Sequence, residues 1–274
     1  MRLILILIAS FLVTGLLTAL VSLTTSPAQA LDLNLKDLKA KFKVYTVTVS
    51  DPVYKTEKTY DAFLLKDVLL KDMPTTKSSS GALGDEIVFE ARDGYAPSIS
   101  KSKLESHTAY LAFQEHGSQP GKPWHTFMQG KEKMTPAPFY LVWPNLKDVS
   151  PSDETYPWPY QLVKIQSVVF KEKYAKIYPE NAAPDSAEMQ GFLTFKNDCI
   201  RCHSVNLVGG GIGPELNTPK NVLEYWNEAT LRQFIKNPGS FRAKDKMPPF
   251  PNLTDSDIDH IFAYFRYLEK HREL

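Results

Sequence analysis

Asn197-Asp198-Cys199-Ile200-Arg201-Cys202-His203 is the stretch that decides how this chain is organised. Cys199 and Cys202 are the only cysteines among 274 residues. A disulfide between them would close a tiny loop and restrain little of the unfolded chain. C-x-x-C-H is instead the attachment signature for c-type haem. Two thiols one helical turn apart reach the two vinyl groups on one porphyrin edge, and the adjacent imidazole then falls beneath the iron. A redox dithiol of this spacing calls for a βαβ setting, whereas the residues before Cys199 read as helix. A closed zinc site calls for two further ligands nearby, and there is no third cysteine.

Downstream, Gly209-Gly210-Gly211-Ile212-Gly213-Pro214 permits a close backbone approach of the kind a flat macrocycle edge requires. Met247 lies in Lys246-Met247-Pro248-Pro249, where the prolines stiffen an extended segment and hold the thioether in place. Around these residues the pattern is helical. Asp185, with Glu188 three residues on, is a candidate cap for a first helix. Asn227 caps another through Leu231, Phe234 and Ile235, stopped at Asn237-Pro238-Gly239. Thr254 caps the last, where Ile258, Ile261, Phe262, Phe265 and Leu268 form one apolar stripe.

Taken together, residues 185–270 resemble class I cytochromes c. The resemblance rests on Gly191 and Phe195 in the first helix, Cys199, Cys202 and His203, Gly213-Pro214, Lys246-Met247-Pro248-Pro249, and the closing helix with Tyr264. It implies one covalently bound haem c, with His203 as proximal and Met247 as distal iron ligand. It also implies that the Pro214 carbonyl accepts the His203 Nδ1–H, and that Gly191 lets the first helix cross closely over the last near Tyr264. A His/Met pair fills both axial positions, so the implied role is single-electron transfer at relatively high potential. Trp226 either hydrogen-bonds a haem propionate or is simply buried against the ring; Arg201 reads as a solvated side chain, with a propionate contact as the alternative. Met189 reads as helix core.

The preceding half is different. Val44 to Val49, Ile87 to Ala91, Phe139 to Trp143 and Leu162 to Phe170 read as strands, punctuated by Asp51-Pro52, Arg92-Asp93-Gly94 and Pro144. Leu64 to Leu70 and Lys101 to Leu104 read as short helices, and Thr75 to Gly84 as a loop. Residues 35–170 resemble the sulfite-oxidase-type molybdopterin-binding fold through Ile87 to Tyr95, Phe139 to Pro144 and Leu162 to Phe170. That family's molybdenum-binding cysteine has no counterpart here, because both cysteines belong to the C-x-x-C-H motif. The expectation is therefore a docking module without molybdenum. His107, His116 and His125 read as surface-loop residues, with metal binding or a second haem ligand as the alternative. Trp124, Trp143, Trp158 and Tyr160 read as core rather than as a binding groove.

The expected architecture is α+β in two domains: a signal segment (1–30), a strand-rich domain (31–175), a linker (176–184) and an all-α class I cytochrome c domain (185–274). Arg2, the apolar run Leu3 to Leu23 and Ala28-Gln29-Ala30 read as a secretory signal cleaved after Ala30. The alternative is that residues 3–23 remain as an inner-membrane anchor, the one way in which the membrane becomes a partner. Export places the protein in the periplasm. A net charge of +1 with interspersed signs excludes nucleic acid as the main partner. The expected partners are redox proteins: a dehydrogenase or quinol-oxidising complex as donor, and an oxidase or another cytochrome as acceptor. The competing reading is an oxidoreductase whose strand-rich domain oxidises a small substrate such as sulfite.

Overall fold

The computed structural model describes residues 29–73, 84–129, 132–146, 156–243 and 245–272. The apolar run from Leu3 to Leu23 and most of the Thr75 to Gly84 loop lie outside them. Among the described residues, no helix is long and apolar enough to cross a membrane.

Period-two alternation builds the first half. In chain order it comprises β1 (Gln29–Asp32), α1 (Leu35–Lys41), β2 (Val44–Asp51), β3 (Thr56–Leu64), α2 (Leu65–Asp72), β4 (Glu86–Ala91), β5 (Ser98–Ser100) and α3 (Lys101–Ser106). It continues with β6 (Tyr110–Glu115), β7 (Phe127–Gln129), β8 (Glu132–Met134), β9 (Tyr140–Val142) and β10 (Leu162–Val168). Two antiparallel sheets result, ordered β1-β10-β4-β5 and β2-β3-β6-β9, with β7 and β8 as a separate hairpin. The expected last strand stops at Val168, and Phe170 instead opens a short helix. The cleavage point after Ala30 falls within β1, where Ala30 pairs with Gln166.

Successive side chains point to opposite faces, which divides the second sheet between two cores. Phe63, Leu111 and Leu141 join Phe89, Leu162 and Ile165 of the first sheet in the main core. Tyr60, Ala62, Ala112, Tyr140 and Val142 line the opposite face, covered by Trp124, Trp158 and Tyr160. Trp143 is buried in the main core and donates its indole N–H to the Pro157 carbonyl at 2.8 Å. Trp143 is therefore core, and Trp124, Trp158 and Tyr160 are half-buried against that core or its neighbour.

Helical periodicity takes over next. The elements are α4 (Phe170–Lys173), α5 (Ala187–Thr194), a π-helical turn (Phe195–Cys199), β11 (Ser204–Val205), β12 (Val208–Gly209), α6 (Val222–Tyr225), α7 (Glu228–Lys236) and α8 (Asp255–Lys270). Ser186, not Asp185, caps α5: its hydroxyl accepts from the Met189 N–H. Asp185 sits one residue too early. Asn227 and Thr254 cap α7 and α8, the latter in a reciprocal box with Asp257. α5 crosses α8 at Gly191, where a Cβ would lie 2.8 Å from the Tyr264 Cβ and closer still to the His260 backbone. Only a residue without a side chain lets these helices approach so closely.

The core formed around this crossing reaches back beyond Asp185. Tyr174 and Ile177 are buried in it, and the Tyr264 hydroxyl donates to the Ile177 carbonyl at 2.8 Å. Asn206, Asn217 and Asn221 are buried as a chain of side-chain hydrogen bonds. Asn217 donates to the Leu268 carbonyl and Asn221 to that of Phe265, giving partners to acceptors near the C-terminal end of α8.

Candidate haem-binding site

The π-helical turn delivers Cys199. The Ile200 N–H reaches back five residues to the Phe195 carbonyl at 2.9 Å, so one extra residue is accommodated before the motif. The chain then tightens: the N–H groups of Cys202 and His203 both bond the Cys199 carbonyl, at 3.1 and 2.9 Å. Cys199, Cys202 and His203 thereby share one turn, each half-buried. The C-x-x-C unit does not simply continue a regular α-helix, as its spacing alone suggests.

His203 is oriented from outside its own turn. Its Nδ1 lies 2.9 Å from the Pro214 carbonyl, which can only accept, so Nδ1 carries the proton. That leaves Nε2 as the ring's lone-pair donor. Burial holds the imidazole below its ordinary pKa, against the opposing pull of the Pro214 contact and of Asp245 and Glu215. A neutral ring with a free Nε2 is the form that binds a metal. Gly213 makes this possible, because a Cβ there would lie within 2.6 to 3.0 Å of three His203 ring atoms.

Within the protein itself, the glycine run makes its close approach to the motif's own backbone. Gly209 and Gly210 fold back on the motif itself: the Gly210 N–H bonds the Ile200 carbonyl at 2.7 Å and the Gly213 N–H the Cys202 carbonyl at 2.8 Å. The run holds the motif's backbone in shape.

Burial pushes the Cys199 thiol up to about 12, reinforced by Asp198 and Cys202 and opposed by Arg201. Burial of this kind favours the neutral sulfur over the thiolate. Arg201 was expected in solvent. It is buried instead, and its guanidinium donates to the Asn197 carbonyl. Such a planar head with five donors can satisfy backbone acceptors inside a turn, a contact that residue type alone does not announce.

Met247 is half-buried, and its N–H bonds Asp245 Oδ1 at 2.9 Å. Asp245, two residues before Met247, contributes to the electrostatic environment of His203. Leu216, Trp226, Phe234, Met247 and Phe250 are partly buried apolar side chains packed on the domain core. Trp226 packs on Phe234 with centroids 5.1 Å apart, and Phe234 on Phe241 at 5.6 Å. A neutral imidazole, two clustered thiols, a thioether and an apolar, aromatic-rich surface fit a covalently attached haem. Of these partners, Phe241 and the Asp245 turn carried no signal in the sequence.

The three histidines of the strand-rich domain are kept apart by their own partners. His107 Nδ1 lies 2.8 Å from the Tyr156 hydroxyl, His116 Nδ1 2.8 Å from Asp61, and His125 Nδ1 2.6 Å from Glu115. His116 and His125 are exposed.

Comparison with known proteins agrees with this site. Residues 186–265 match the family described as cytochrome C oxidase, cbb3-type, subunit III. A stretch of 86 residues is 30% identical to the cytochrome c oxidase subunit 2 of Alkalihalophilus pseudofirmus (strain ATCC BAA-2126 / JCM 17055 / OF4), covering 29% of this chain. The matched stretch spans 25% of that relative's length. A strand-rich N-terminal region thus precedes a cytochrome c domain, the kind that binds haem c covalently and exchanges electrons with redox partner proteins.

Proposed function

We propose that this protein is an exported electron carrier with a single haem c, attached through Cys199 and Cys202 and ligated by His203 and Met247. The observation that carries this reading is the 2.9 Å contact from His203 Nδ1 to the Pro214 carbonyl, which frees Nε2 for iron. When bound, the haem supplies a reversible one-electron couple. The protein's own contribution is to hold the ligands. Pro214 keeps the imidazole in one tautomer and one orientation, and Gly213 leaves room for the ring. The Asp245 turn and the following prolines hold the Met247 thioether, and a thioether raises the potential relative to a second histidine. Ligation by His203 and Met247 together would leave no coordination site open to substrate.

The strand-rich domain is read as a docking module of sulfite-oxidase-like shape. Its two-sheet sandwich supports the shape, and the lack of any cysteine outside the C-x-x-C-H motif weighs against molybdenum chemistry in it. In this reading the protein works in the periplasm, taking electrons from a dehydrogenase or quinol-oxidising complex and passing them to an oxidase or another cytochrome.

Carbon monoxide tests the coordination. The reduced wild-type protein is expected to bind it poorly, because Met247 must leave first. Met247→Ala should keep its haem on a denaturing gel, lose the long-wavelength band of methionine-ligated ferric iron, and bind carbon monoxide readily. If that band survives the substitution, Met247 is not the ligand. Fast one-electron exchange of the wild type with a high-potential cytochrome, measured by stopped flow, tests the carrier role itself.

A further inference from the structure

The two domains meet directly at the haem-attachment segment. The Ala96 N–H bonds the carbonyl of Arg201, inside the C-x-x-C-H motif, at 2.8 Å. The Gly211 N–H bonds the Gly94 carbonyl at 3.0 Å. Gly94 has φ +89°, and a Cβ there would come within 3.3 Å of the Gly211 backbone. Beside these contacts, Lys196 Nζ lies 2.6 Å from Glu86 Oε1, with side-chain exposures of 16% and 5%. The same ammonium sits over the rings of Phe170, at 5.2 Å, and Tyr174, at 5.7 Å. The Tyr174 hydroxyl lies 3.5 Å from the second Glu86 oxygen.

This arrangement is unlike the surface ion pairs elsewhere in the domain. Arg266 with Glu228 and Lys236 with Asp255 are solvated pairs, and such pairs contribute little. Glu86 is buried on β4 of one domain, and its partner belongs to the π-helical turn of the other, three residues before Cys199. Lys196, Arg201 and Glu86 also line one cleft of about 140 Å³ between the domains. A charge here is poorly screened, and Lys196 lies in the same turn as Cys199, which would carry the haem.

We propose that Glu86 is a positioning residue for the electron-transfer site: through Lys196 it holds the turn that presents Cys199, and the balanced pair helps to set the potential of the haem. This rests on the haem reading given above. It assigns the strand-rich domain a second task besides docking, namely control of the electrostatic environment of the C-x-x-C segment. The two charges act in opposite senses. Glu86→Gln leaves the Lys196 cation uncompensated, which favours the reduced haem. Lys196→Gln leaves the Glu86 anion, which favours the oxidised haem. At an effective dielectric constant near 20, a unit charge within roughly 12 Å of a redox group is worth on the order of tenfold in its equilibrium, and a shift of that order is expected for each single variant. For one electron that corresponds to about 59 mV.

The test is a spectroelectrochemical titration of the full-length haem protein against a one-electron mediator. Glu86→Gln is expected to raise the midpoint potential, Lys196→Gln to lower it, and the double variant to return within about threefold of the wild-type equilibrium. Single variants that shift in the same sense, or not at all, overturn the proposal. A haem-stained gel separates this outcome from failure of the haem reading, in which no attached haem would be found. Should a single variant fail to fold, Glu86→Asp takes its place, as it keeps the charge but withdraws the carboxylate. Hydrogen exchange at the Gly211 amide is then expected to accelerate at least tenfold, while the potential moves less than for loss of the charge. Unchanged exchange overturns the positioning role.

Discussion

Gly191→Ala is expected to destabilise the haem-bearing domain by about 3 kcal/mol or more, the upper part of the range for overpacked cores. The added methyl meets the Tyr264 Cβ at 2.8 Å and the His260 backbone closer still. A flexible side chain can swing away from such a contact, but a helix backbone cannot. α5 must therefore lift off α8, and Phe192, Phe195 and Tyr264 lose their fully buried packing together. At roughly 4–8 °C per kcal/mol for a domain of this size, the melting temperature should fall by at least 12 °C. Thermal unfolding followed by far-ultraviolet circular dichroism measures it. Gly211→Ala is the control, since a Cβ there meets nothing within 4 Å. Should the two variants melt alike, the tight crossing at Gly191 is not what holds the helices.

The second large effect is expected at Gly213→Ala. Here the methyl strikes the imidazole itself, 2.6 to 3.0 Å from Cε1, Nδ1 and Nε2 of His203. The ring must turn, and the Nδ1 bond to Pro214 breaks as it does. Removing the partner that orients a ligating histidine typically costs 10- to 100-fold in metal affinity. The thiols are untouched, so covalent haem should persist while the iron loses its strong proximal field. Absorption and magnetic circular dichroism would report a partial shift from low to high spin. A wild-type spectrum for this variant would mean that the His203 ring does not rely on Gly213 for its position.

Local signals carried the helical half well. The stripe from Ile258 to Leu268 is α8, and Asn227 and Thr254 cap the helices they precede. Capping and periodicity involve neighbours within one turn, so a single segment contains all the information. The error at Asp185 has the same origin. Asp185 and Ser186 are both good caps, and only the geometry of the Met189 N–H selects the serine. Spacing marks Cys199, Cys202 and His203, and the resemblance implies Pro214; the structure gathers the three motif residues in one turn, with the Pro214 carbonyl 2.9 Å from His203 Nδ1.

Contacts between distant segments were not legible. Glu86 and Lys196 are 110 residues apart, and nothing in either local sequence marks a shared partner. Arg201 looked solvated because its type usually is; its burial follows from the neighbouring domain and the turn it sits in. Nor does local sequence mark Asn217 and Asn221, whose amides supply donors to α8 from outside it. The π-helical turn also escaped notice, since one inserted residue leaves the spacing within C-x-x-C-H unaltered.

The seam between the domains has a consequence for how electrons find their partners. A haem on a flexible tether searches its surroundings at an effective concentration set by the length of that tether. The bonds from Ala96 to Arg201 and from Gly211 to Gly94, with Tyr174 and Ile177 packed into the haem-bearing core, take up that slack. Any face of the strand-rich body gripped by another protein then lies at a set distance from His203. Reach is governed by how far an electron tunnels, rather than by how far a linker stretches.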